Sequence, residues 1–95
     1  VKRLDVSPNA EADLGGIWTY TFQTWGEVQA NKYLDDLDTR MIGLTTGRTA
    51  SPAADEVAPG LRRALVGRHV VFFREDAAAV TVVRVLHQRM DVGRG

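Results

Sequence analysis

Residues 61 to 86 hold three apolar runs with almost nothing between them. They are LRRALV (61–66), HVVFFRE (69–75) and AVTVVRVL (79–86), joined only by Gly67-Arg68 and by Asp76-Ala77-Ala78. Each run is rich in valine, phenylalanine or leucine and is short, as strands are. A parallel connection needs about a dozen residues or more, whereas two or three suffice for a hairpin. The runs therefore read as three consecutive antiparallel strands, and the rest of the chain must pack on the sheet they make.

Upstream the apolar period changes. Ser7-Pro8 marks a helix start, because the hydroxyl accepts an orphan amide and proline suits the first helical position. Ala10, Leu14, Ile17, Trp18, Thr21, Phe22 and Trp25 follow at helical spacing and form one face. Trp18 and Trp25 are expected in the core, with Trp25 placed at the helix end to show an edge. Gly15 and Gly16 weaken this helix by about 1 kcal/mol each relative to alanine and would let a neighbour approach closely. Gly26 ends it, and a second stripe begins: Ala30, Tyr33, Leu34, Leu37, Met41 and Leu44, with Asp35, Asp36, Asp38 and Arg40 mostly outside. Two helices joined by one glycine make an antiparallel hairpin. KRLDV (2–6) is a short strand candidate. Residues 46–60, TGRTASPAADEVAPG, should be irregular, and the segment is long enough for part of it to have a task.

The order is thus β-α-α-β-β-β, an α+β domain with the helical hairpin on one face of a small, mainly antiparallel sheet. Ninety-five residues make one domain, 1–95. Strict alternation gives strand 69–75 the faces His69, Val71, Phe73, Glu75 and Val70, Phe72, Arg74. Strand 79–86 has Val80, Val82, Arg84, Leu86 and Thr81, Val83, Val85. Neither strand has a fully polar face, yet the helices cover one side only. A second cover is required: the 46–60 loop, the C-terminal tail or a partner.

The formal net charge of zero conceals an asymmetry. Residues 1–60 carry five basic and nine acidic side chains, a net of −4. Residues 61–95 carry seven arginines, no lysine and three acids, a net of +4. Arginine forks suit carboxylates and phosphates, so an anionic partner and solvated strand edges both fit this pattern. With zero cysteines and two histidines the chain offers no disulfide framework and no metal constellation. It has no phosphate-cradling glycine loop, and no apolar run nears the roughly 20 residues of a membrane span. Nothing argues for export.

Three segments carry a family resemblance: DLGGIWTYTFQTWGEVQANKYLDDL (13–37), GLRRALVGRHVVFFR (60–74) and VVRVLHQRMD (82–91). Taken in order they resemble the ParE toxins of bacterial type II toxin–antitoxin modules, within the RelE/ParE superfamily, over nearly the whole chain. The resemblance implies a growth-inhibiting, cytoplasmic toxin without cofactors. It would act on DNA gyrase and be held inactive by a ParD-type antitoxin, in a heterotetramer or larger complex. Such antitoxins wrap the toxin with a segment that orders on binding, and apolar strands with arginines are what that segment would need.

Target contact is expected at Arg84, His87, Met90 and Asp91, with Arg62 and Arg63 beside them. Antitoxin contact is expected at Trp25, Val71, Phe73, Arg74, Val82 and Arg84. Arg84, if buried among valines, needs an acid such as Asp13 or an antitoxin carboxylate. His87 is open to a structural role, bonded to a carbonyl or to Asp91, as well as to target contact; His69 reads as structural. The rival is a ribosome-dependent messenger-RNA endoribonuclease of RelE type, for which the arginines and a histidine base would serve. The last strand lacks the tyrosine or lysine pattern of such sites, and Tyr20 and Tyr33 lie on helices. A third possibility is a non-toxic partner acting as co-repressor. Zero net charge argues against DNA binding by the toxin alone.

Overall fold

The computed structural model describes residues 2–46 and 53–88. In chain order these are β1 (Arg3–Val6), α1 (Pro8–Trp25), α2 (Glu27–Leu44), β2 (Arg62–Val66), β3 (His69–Glu75) and β4 (Ala79–His87). The sheet order is β1-β4-β3-β2. β1 runs parallel to β4, with Val6 opposite Val82, and the other pairs are antiparallel. This is the α+β arrangement expected from the spacing of the apolar runs.

Ser7 caps α1 by accepting the Ala10 amide at 3.1 Å, and proline follows at the first helical position. Gly26 accomplishes the reversal alone. Its N–H donates to the Phe22 carbonyl while its own carbonyl accepts from Ala30, at φ 92°, where a side chain would be strained. The α2 stripe packs as its spacing predicts, with Ala30, Leu37, Met41 and Leu44 buried and Tyr33 and Leu34 partly so. All but Ala30 join one cluster with Val71, Phe73, Val80, Val82 and Val85 from the sheet. Full burial of Leu37 or Phe73 is worth about 2–3 kcal/mol each.

The far face of the sheet has its own cover, and it is the loop. Ala54 and Leu61 bury against Val70, Phe72 and Leu86, with Val57 and Ala58 packed alongside. The Ala54 amide bonds the Leu61 carbonyl at 2.7 Å, and the Gly60 amide donates to Asp55 at 2.8 Å, closing the segment on itself. Arg63 pairs with Glu56 and lies 5.7 Å over the Phe72 ring, and Arg74 donates to the Pro59 carbonyl.

Three expectations are corrected. Val71, Phe73 and Val82 are at most 2% exposed beneath the helices and have no surface to offer an antitoxin. Gly15 and Gly16 face open space rather than a close neighbour. Trp25 is 72% exposed and is not core. At roughly 100° per residue the α1 stripe drifts, so Trp18 and Phe22 swing about 80° and 120° from Ala10, and Trp25 sits on the last turn. Trp18 is half-buried, stacks on Phe22 and donates to Asn31 on α2.

A β-bulge overturns the strict alternation along the last strand. Phe73 pairs with Val82 but Phe72 pairs with Arg84, leaving Val83 as the extra residue. Beyond it Val85 joins the helix-side core and Leu86 the loop-side cluster, each on the face opposite to that expected.

Candidate functional site

β1 pairs with β4 only as far as Val82, so the backbone of β4 beyond that point needs other partners. The first turns of α1 provide them. The Ser7 amide donates to the Val82 carbonyl at 2.9 Å and its hydroxyl to the Val83 carbonyl at 2.8 Å. Asp13, six residues further along, accepts the Val85 amide at 3.0 Å. The same carboxylate takes both arms of Arg84, Nε at 2.7 Å and Nη2 at 2.9 Å. Burial opposes ionisation of Asp13, but the Arg84 hydrogen bond, the Val85 amide and the Arg84 charge together bring its pKa below 3.8. Arg84 thus meets the partner its position called for, although it is exposed rather than buried.

At the shared elbow of the two helices lies a cleft of about 470 Å³. The last turns of α1 line it with Tyr20, Thr21, Thr24 and Trp25, and the start of α2 adds Gln29 and Tyr33. The β2–β3 turn contributes Gly67 and Arg68, and the sheet contributes His69 and His87. The two histidines are opposite each other across the strands, with ring centroids 5.4 Å apart at 81°.

Tyr33 is the anchor of this region. Its hydroxyl lies 2.6 Å from His69 Nδ1, accepts the Arg68 amide at 3.3 Å and is 3.4 Å from the Val66 carbonyl. Donation to Nδ1, the shorter contact, leaves the imidazole proton on Nε2. Burial, and then the neighbouring His87, push the His69 pKa below 6.5, so the ring is neutral at neutral pH. Gly67 is required here twice over. Its φ of 57° suits the first central position of a two-residue hairpin, and a Cβ there would lie 2.7 Å from the Tyr33 oxygen.

The expected contact residues are therefore split. Trp25 and His87, assigned to different partners in the sequence, line one cleft. Arg84 is held to Asp13, Arg63 to Glu56 and Arg74 to the loop, while Arg62 is exposed at the start of β2. Met90 and Asp91, and with them the His87–Asp91 bond, lie outside the described residues. His69 bonds the Tyr33 hydroxyl, the kind of partner that the structural reading of this histidine requires. Tyr20, Tyr33 and Arg68 were not anticipated. The signal for Tyr33 was its place on the α2 stripe, with a polar tip that burial obliges to find a partner. Among the described residues no group of three or more His, Cys, Asp or Glu converges as a metal site, and no helix is long and apolar enough to cross a membrane.

Comparisons with known proteins agree with this architecture. Residues 4–92 match the family model described as the ParE toxin of the type II toxin–antitoxin system parDE. The chain is 41% identical over 90 residues to Toxin ParE1 of Mycobacterium tuberculosis, covering 94% of this chain and 92% of that one. It is 36% identical over 91 residues to Toxin ParE1 of Caulobacter vibrioides, covering 96% and 94%. Among solved structures, a chain from the chromosomal ParDE system of P. aeruginosa superposes with a TM-score of 0.79 over 90% of this chain and 95% of that one. At 20% identity, that match speaks for the fold. By sequence and by family model, the chain belongs to the ParE toxin family of type II toxin–antitoxin modules.

Proposed function

We propose that this chain is a non-catalytic poison of DNA gyrase, working in the cytoplasm and neutralised by a ParD-type antitoxin in a hetero-oligomer of four or more chains. The observation that carries the partner half of this proposal is the elbow. Large apolar side chains, Tyr20 and Trp25 among them, stand exposed there beside a cleft walled by Arg68 and two histidines. A small domain does not leave such a surface to water without a use for it. The loop over the far sheet face removes the earlier need for a partner there, so the elbow is where binding concentrates.

For target action, His87 together with Arg62, Arg63, Arg84, Met90 and Asp91 remains the proposed contact set. Arg84 is a fixed charge rather than a mobile hook, because Asp13 and the sheet edge hold it. That places the greater weight on His87 and on the tail after it.

One observation favours a second possibility. The tyrosine that an acid–base site would need is present after all, with the Tyr33 hydroxyl 2.6 Å from His69 and His87 alongside. A single pair of assays separates the two. Purified toxin should inhibit gyrase supercoiling, and equimolar antitoxin should restore it. Primer extension on translated messages should show no new cuts. Full supercoiling at every toxin concentration, with cuts at ribosome-bound codons, would replace the poison with a ribonuclease.

A further inference from the structure

His69 and His87 are the only histidines of the chain, and the register of β3 and β4 sets them directly opposite each other. The Gln88 amide donates to the Arg68 carbonyl at 2.9 Å, one residue outside the pair on each strand. In an antiparallel ladder that bond marks the histidines as a non-hydrogen-bonded pair, the kind whose side chains stand closest. Their ring centroids are 5.4 Å apart at 81°. Two imidazoles that share one tetrahedral ion through nitrogen bonds of about 2 Å have centroids about 5 Å apart. The pair is spaced for a chelate before any ion arrives.

The surroundings decide what the pair can hold. Burial, and then the neighbouring His87, keep His69 neutral at neutral pH, and a neutral imidazole offers the lone pair that a metal needs. The Tyr33 hydroxyl lies 2.6 Å from His69 Nδ1, which leaves Nε2 as the ligating nitrogen. When Nε2 ligates, the imidazole proton moves to Nδ1 and none is lost. Nδ1–H then donates to the Tyr33 oxygen, and the Tyr33 hydroxyl turns to the Val66 carbonyl 3.4 Å away. Ligation through one ring nitrogen and donation from the other is the usual arrangement of a metal-bound histidine. None of the residues lining the cleft is Asp or Glu, so magnesium and calcium find no carboxylate there. Imidazole suits zinc, copper and nickel. Among the described residues no third His, Cys, Asp or Glu joins the two, and the cleft has room for water at the remaining positions. Arg68 also lines the cleft and opposes a second cation, weakly because it is exposed to solvent and screened.

We propose that His69 and His87 form a site for a divalent transition-metal ion of the zinc, copper or nickel type, held by two imidazoles with water completing its coordination. Along the chain two histidines make no metal constellation. The bulge in β4 brings His87 opposite His69 and so creates the site. A bound ion joins β3 to β4 at the open end of their hairpin. The site stands whether or not gyrase is the target.

The test titrates untagged, chelator-treated toxin with zinc, nickel and cupric ions by calorimetry, with magnesium as the control. One ion should bind per chain, copper most tightly and magnesium not at all. His69→Gln and His87→Gln should each weaken binding at least about tenfold. Zinc at about ten times its Kd should raise the Tm of wild type by about 5–10 °C and leave that of His87→Gln unchanged. Cupric ion should quench Trp25, which lines the same cleft, and Trp25→Phe should keep the affinity while losing most of the quench. Should His69→Gln fail to fold once its Tyr33 bond is gone, His87→Gln alone decides. Wild-type affinity in His87→Gln, or a quench undiminished in Trp25→Phe, would put the ion elsewhere and overturn the proposal. So would the absence of binding by wild type at millimolar ion.

Discussion

The two ends of α1 are built from similar residues and meet opposite fates. Toward its start, Ala10 and Ile17 are buried against α2 and the sheet. At its end, Tyr20 and Trp25 are about 70% exposed, at 68% and 72%. Apolar character alone therefore separates nothing; what separates them is the face of the helix they stand on, since Thr21, between exposed Tyr20 and Phe22, is buried. The packed face holds the domain together, and the exposed side chains of the last turns add little to that packing. Stability and partner affinity should accordingly respond to different substitutions.

The largest effect on stability belongs to the packed side. Leu37→Ala should cost about 3 kcal/mol in denaturant unfolding, because a fully buried leucine leaves a cavity under two layers. Trp25→Ala should change stability by less than about 0.5 kcal/mol. A large loss of stability from Trp25→Ala would break the contrast between the two ends.

A smaller effect is expected at the clasp. Asp13→Ala leaves the Val85 amide and the Arg84 fork without their acceptor and should cost about 2 kcal/mol, moderated because Arg84 is exposed. The pH dependence has a definite sign. The folded-state pKa of Asp13 lies below its reference value of 3.8, so the contribution is complete above that value and is lost as pH falls through the folded pKa. Melting curves of wild type and Asp13→Ala should converge below about pH 4.

The smallest of the three sits at the boundary between the ends. Tyr33→Phe removes the acceptor of the Arg68 amide and the partner of His69, and should cost about 1 kcal/mol. His69 is depressed from 6.5, so its share of stability is intact above that pH and erodes as pH falls below it. Equilibrium unfolding at pH 7 and pH 5 should show this erosion in wild type and little of it in His69→Gln.

Most of the fold was legible because hairpin lengths and two helical stripes leave few arrangements. Gly67-Arg68 and the three-residue turn at 76–78 set the antiparallel order, and Ser7-Pro8 set the start of α1. What escaped notice was the extra residue at Val83. Counting back from the 76–78 turn pairs Glu75 with Val80 and, without a bulge, would set Leu86 opposite His69; the insertion brings His87 there instead. Simple alternation carries no mark of a bulge, so the histidine pair was invisible even though both histidines were in view. The wrong face was chosen for antitoxin contact for a related reason. Val71, Phe73 and Val82 advertise an apolar surface, and only the packing shows that α1 and α2 already use it. Arg84 with Asp13 was the part of the site that could be named beforehand, since an arginine among valines restricts its own partners.

Ser7 and Asp13 have one more consequence, which concerns copies of the chain rather than its partners. Open sheet edges invite strand addition and, through it, aggregation. Where β1 stops, β4 would present such an edge, but its carbonyls at Val82 and Val83 and its amide at Val85 are already taken by α1. The opposite border, β2, is bridged at its start by Ala53, which pairs with Arg62, and further along Arg40 reaches the Leu65 carbonyl at 3.3 Å. Self-association under crowding would therefore begin at an outer strand, β1 or β2, and substituting Arg40 would hasten it at β2.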